Sequence, residues 1–142
     1  MRPGPTKGAR PTLDLIVLPD DLAVCRLPAG AEAPPWIDGE AFASVTRTPE
    51  ETSVVCRAAI VPWDVRAEAG WRALRVAGPL DFALTGVLLS LLEPLAAAGV
   101  SVFALSTFDT DYLLVREAAR EEALAALAGA GHRIDGFETE AP

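Results

Sequence analysis

Residues 71 to 135 switch repeatedly between two hydrophobic periods, and that switching narrows the possible folds more than any other feature of the chain. "WRALRVA" (71–77) alternates large apolar residues with arginines, the period-2 pattern of a half-exposed strand. "FALTGVLLSLLEPLAAAG" (82–99) carries apolar residues at helical spacing and stops at Gly99, a natural helix end. Pro94 inside it predicts a kink or a weak last turn. "VSVFALS" (100–106) and "DYLLV" (111–115) are rich in β-branched and aromatic residues and read as a hairpin around "TFDT". "REAAREEALAALAGAG" (116–131) predicts an amphipathic helix, alanines and leucines inward, with Arg116, Arg120, Glu121 and Glu122 outward. "HRID" then starts a last, short strand. The order strand, helix, strand, strand, helix, strand is ferredoxin-like (βαββαβ), two helices covering one face of a four-stranded antiparallel sheet.

The first half reads as strands with little helix. "TLDLIVL" (12–18) and "LAVCRL" (22–27) predict a hairpin turning at "PDD". "PAGAEAPPW" is connection with one helical turn near Trp36, and "AFASVTR" (41–47) and "TSVVCR" (52–57) form a second hairpin around "TPEE". Pro62 keeps any later helix short. Sliding the chain along itself until Leu13 meets Arg72 lays "LDLIV" on "RALRV" and "SVVCR" on "YLLVR". The same shift sets Thr48 on Thr107, Glu50 on Asp109 and Arg57 on Arg116. Identities are few, but strands fall on strands and the acidic turn on the acidic turn. The expected fold class is therefore α+β: two ferredoxin-like subdomains over 12–70 and 71–137, the first with eroded helices, behind a flexible tail at 1–11.

With 142 residues, 51% of them hydrophobic, the chain can bury a substantial core. Its net charge of -8 and scattered basic residues argue against nucleic acid or an anionic membrane surface as partner. Neither a signal peptide nor a run long enough to span a bilayer is legible, so a cytoplasmic location is expected. Cys25 and Cys56 lie in apolar runs and read as small core residues, although their spacing leaves a disulfide open. With a single histidine, His132, and no paired-ligand spacing, no metal is expected. His132 follows a helix end and reads as a solvated cap. Phosphate loops and nucleophile elbows are missing, so no catalytic residue and no cofactor is expected.

"VAGPLDFALTGVL" (76–88) holds more information. A strand ends at Ala77, "GPLD" turns, and a helix is predicted from Phe82 or Ala83, with Asp81 as N-cap. Gly86 is costly inside a helix and points to close packing by a strand or a ligand on the first turn. Open amides at a helix start attract a carboxylate. An amino acid would need such a site beside an acceptor for its ammonium, for which Asp81 and Asp111 are candidates. Asp109 is expected to face solvent.

"GPLDFALTGVLLSLLEPLAAAGVSVFALSTFDTDYLLV" (78–115) resembles the ACT domain, a small ligand-binding regulatory module. The chain is most similar to bacterial tandem-ACT proteins related to the aspartokinase regulatory region and to the CASTOR arginine sensors. The most specific parts are "G-x-x-D" before the helix, "PLAAAG" leading into the strand, and "ST-F-x-x-D". The resemblance implies ACT-type subdomains, a free amino acid bound between them, and pairing into a homodimer. It assigns ligand contacts to Gly78, Asp81 and the adjoining Phe82, then to Thr107, Phe108, Thr110 and Asp111.

Overall fold

The computed structural model describes residues 11–80 and 85–135. In chain order the elements are β1 (Asp14–Pro28), β2 (Ala43–Arg47), β3 (Glu51–Arg57), β4 (Arg66–Val76), α1 (Val87–Ala97), β5 (Val102–Ser106), β6 (Asp111–Arg116), α2 (Arg120–Gly129) and β7 (Arg133–Asp135). Single 3-10 turns lie at Pro35–Ile37, Ala58–Ile60 and Glu117–Ala119. The chain is α+β and divides into a continuous unit, 20–71, and a discontinuous one made of 1–19 and 72–142.

In the continuous unit the strand order is β2-β3-β1-β4, the ferredoxin-like arrangement, with 3-10 turns where the two helices would stand. Ala23 pairs with Cys56 and Cys25 with Val54, which sets both cysteines on one face. That face is buried, with Trp36, Ile37 and, from the neighbouring strand, Val45 packed against it. Outside this cluster, Arg57 donates to Glu40 through Nε at 2.7 Å and Nη2 at 2.9 Å. The guanidinium hydrogen bonds hold the Glu40 carboxyl below the usual carboxylate range.

Both cysteines are free and buried. Burial, reinforced by the neighbouring Cys25, pushes the Cys56 thiol from 9.0 up to about 12; burial also raises Cys25. A thiolate is the reactive form, so neither should act as a nucleophile in the folded state. In the native protein at mildly alkaline pH, an aromatic disulfide reagent is expected to label neither thiol, and both after unfolding. Rapid labelling of the folded protein would contradict this assignment. Because the folded thiol titrates later than the unfolded one, its contribution to stability is complete below 9.0 and is lost as pH climbs toward about 12.

Residues 14–28 form one strand rather than the hairpin predicted at "PDD". Leu15 and Val17 before Pro19, and Leu22, Ala23 and Cys25 after Asp21, are all buried, so the residues on both sides of "PDD" belong to the sheet. Those three residues also include no glycine to supply the positive φ that tight hairpin turns favour. Beside the proline, Arg72 Nη1 donates to the carbonyls of Leu18, at 3.3 Å, and Pro19.

In the discontinuous unit the strand order is β5-β6-β4-β1-β7. The start of β1 lies between β4 and β7, and Leu15 pairs in parallel with Ile134. The four strands read from 71–135 thus become five. "WRALRVA", which looked half-exposed, is part of an interior strand flanked by β1 and β6. Helices α1 and α2 bury Leu91, Leu95, Ala123 and Leu127 against Leu15 and Val17 of β1, Leu74 and Val76 of β4, and Leu113 and Val115 of β6.

Helix α1 starts at Val87, later than predicted, with Gly86 at its cap position and no side-chain cap bond. Gly86 has a φ of 77°, and among the described residues an added Cβ would meet only Pro11 Cδ, at 3.9 Å. Backbone conformation, not close packing, explains this glycine. Asp81, the expected cap, lies outside the described residues.

His132 is buried, 5% exposed, and is not a solvated cap. Its Nε2 lies 2.9 Å from the Ser90 carbonyl, and the Leu13 amide donates to Nδ1 at 3.1 Å. A carbonyl only accepts and an amide only donates, so the ring carries its proton on Nε2. Ser90 is four residues before Pro94, which has no amide to offer it. The histidine supplies the missing donor.

Candidate functional site

The connection leaving β4 meets the β5–β6 hairpin through backbone and hydroxyl bonds. The Leu80 amide donates to the Asp109 carbonyl at 2.7 Å, and Thr110 Oγ1 to the Val76 carbonyl at 2.6 Å. Gly78 lies at the crossing, where an added Cβ would fall 3.2 Å from Asp109 O, Leu80 N and Thr110 Cβ. Closeness to two backbone atoms accounts for a glycine here.

These segments enclose a cleft of about 210 Å³ lined by Gly78, Thr107 and Thr110, together with Pro79, Asp109, Arg75 and Tyr112. Three of the residues assigned from sequence thus share one cavity wall. Asp109, expected to face solvent, is exposed and also lines the cleft. Asp111 is not among the lining residues; its Oδ1 accepts from Ser106 Oγ at 2.6 Å, across the strand pair. Phe108 is 81% exposed. Asp81 and Phe82 lie outside the described residues, so the expected meeting of Asp81 with Asp111 falls outside them too.

Arg75 and Tyr112 were missed. Leu74 and Val76 enter the core beneath the helices, as do Leu113 and Val115. By alternation, Arg75 and Tyr112 project from the opposite face of two neighbouring strands. The alternation of "WRALRVA" was a usable signal for Arg75. Nothing local marked Tyr112.

The hairpin turn itself occurs twice. Thr107 N donates to Thr110 O at 2.8 Å, and Thr110 N to Thr107 Oγ1 at 3.3 Å. Thr48 N donates to Glu51 O at 2.9 Å, and Glu51 N to Thr48 Oγ1 at 3.1 Å. Registers agree, Ser106 facing Asp111 as Arg47 faces Thr52, and a 3-10 turn follows each hairpin, at 117–119 and 58–60. Every one of these correspondences obeys the shift that carries Thr48 onto Thr107, as read from the sequence.

Two ferredoxin-like halves, one carrying a small polar cleft beside its strand-to-helix connection, define an α+β protein of the ACT type. Residues 66–129 match the ACT domain, and residues 20–64 match a model of an N-terminal domain. The cytosolic arginine sensor for mTORC1 subunit 1 of Bos taurus is 37% identical over 87 residues, 54% of this chain and 26% of that one. The human protein of that name is 44% identical over 48 residues, 33% of this chain and 15% of its own. The chain thus spans about a quarter or less of these relatives. A solved protein of Agrobacterium tumefaciens shares 39% identity and a TM-score of 0.85, covering 93% of this chain and 98% of that one. Aspartate kinase of Clostridium acetobutylicum shares the fold, with a TM-score of 0.63 at 9% identity over 85% of this chain and 35% of that one. Residues 66–129 of this chain are thus those of an ACT domain.

Proposed function

We propose that the protein is a non-catalytic, cytoplasmic regulatory sensor that binds a free amino acid. The observation that carries this reading is the cleft beside Gly78, Thr107 and Thr110, small, polar and lined by both a basic and an acidic residue. Groups of opposite sign suit a zwitterion better than a simple anion or cation. Its volume falls below that of drug-sized pockets and suits a single amino acid. Likeness to an arginine sensor makes arginine the first compound to test, with a homodimer as the expected assembly.

Titration calorimetry with each of the twenty amino acids is expected to show saturable binding of at least one of them. No heat and no thermal shift with any of them at millimolar concentration would overturn the reading. A second reading, a ligand-free module that dimerises or docks onto a metabolic enzyme, is favoured by the largely exposed Phe108 next to β5, the terminal strand of its sheet order. Assembly unaffected by any amino acid would favour it.

A further inference from the structure

The two copies of the hairpin separate what the fold needs from what the cleft adds. Thr107 has a counterpart in Thr48 that makes the same turn bonds, so those bonds belong to the turn. Thr110 directs its hydroxyl to the Val76 carbonyl, a bond that ties hairpin to strand. Under the shift that carries Thr48 onto Thr107, Arg75 corresponds to Ile16, Tyr112 to Ser53 and Gly78 to Pro19. A guanidinium, a phenol and an unobstructed backbone are thus present in one copy and replaced in the other. All three line the cleft, and the duplicated framework does not account for them, whereas Thr107 and the acidic Asp109 keep counterparts in Thr48 and Glu50.

Their placement suits one end of a zwitterion. Arg75 sits half-buried on β4 between two core residues, Leu74 and Val76, and Tyr112 sits half-buried on the adjacent β6. The backbone of Arg75 is fixed in an interior strand, its side chain lines the cleft, and a guanidinium fork matches a carboxylate in geometry. Asp109, on the hairpin loop, supplies the opposite sign to the same cavity.

We propose that Arg75, assisted by the Tyr112 hydroxyl, binds the α-carboxylate of the amino acid, and that Asp109 receives its ammonium. This rests on the amino-acid reading above and adds an orientation to it. The cleft would then reject amines that lack the carboxylate, whatever their side chain.

The test compares the tightest binder among the twenty amino acids with its decarboxylated amine, L-arginine against agmatine for example, on wild type, Arg75→Met, Arg75→Lys and Tyr112→Phe. Wild type is expected to prefer the amino acid by about 10- to 100-fold, the range for a charge-assisted bond. Arg75→Met should bring the two affinities together, and Arg75→Lys should keep an intermediate preference because the charge survives without the fork. Tyr112→Phe, which removes one oxygen only, should narrow the preference a few-fold and decides the matter if Arg75→Met fails to fold. An amino acid that binds wild type with a preference unchanged in the folded Arg75 and Tyr112 variants would overturn the orientation while leaving the sensor reading intact. Binding of no amino acid would overturn both.

Discussion

Replacing His132 with alanine is expected to lower the unfolding free energy by about 2–5 kcal/mol, since one buried and one part-buried backbone group lose their partners at once. The Leu13 amide loses its acceptor and the Ser90 carbonyl its imidazole donor. Each unsatisfied buried group costs about 1–3 kcal/mol, and the emptied volume adds to the loss. Urea denaturation would show this as a lower midpoint at nearly constant slope. The same argument ties the effect to Pro94. In Pro94→Ala the helix regains an amide at the position that normally serves Ser90, so His132→Ala should cost about 1 kcal/mol less in that background. Strict additivity of the two substitutions would show that the histidine does not stand in for the missing helix bond.

The second large effect is expected at Gly78, where one added methyl group should disturb both stability and binding. Two of the atoms that its Cβ would meet at 3.2 Å are backbone, Asp109 O and Leu80 N, and cannot rotate away. The connection and the hairpin must separate, straining the 2.7 Å bond from Leu80 to Asp109. Overpacking of this kind costs about 1–3 kcal/mol. Because the same segments form the cleft, Gly78→Ala should also weaken amino-acid binding by about tenfold or more, a loss of about 1.4 kcal/mol. A folded Gly78→Ala protein with wild-type binding would mean that the amino acid sits elsewhere.

Much of the architecture was legible because it is local. The hairpin around "TPEE" and the hairpin around "TFDT" announced themselves by β-branched runs flanking polar turns, and both appear where expected, at 43–57 and 102–116. The internal repeat stayed detectable despite few identities because the two turns need the same threonine to cap the same backbone amide. Legibility failed where a pattern had two physical causes. "PDD" contains turn residues, yet residues on either side are buried in the sheet and the strand continues. Gly86 was read as a sign of close approach, when a positive φ at the helix start was the reason.

At the cleft, sequence reasoning found the segment and mis-weighted its members. Gly78, Thr107 and Thr110 lie on one wall, but Asp111 takes a hydroxyl from its strand partner Ser106. Arg75 and Tyr112 are separated in the sequence by a helix and a strand. They converge only because β4 and β6 are neighbours.

What the chain dictates on its own is the identity of its elements, their hydrophobic faces and their near-repetition, all consequences of periodicities within a few residues. Tertiary structure decided which strands became neighbours. A period of two tells a strand which side to bury but not which strand to lie beside. The insertion of residues 14–19 between β4 and β7, and the bond from Leu13 to a histidine 119 positions away, depend on pairings whose partners carry no local mark of one another.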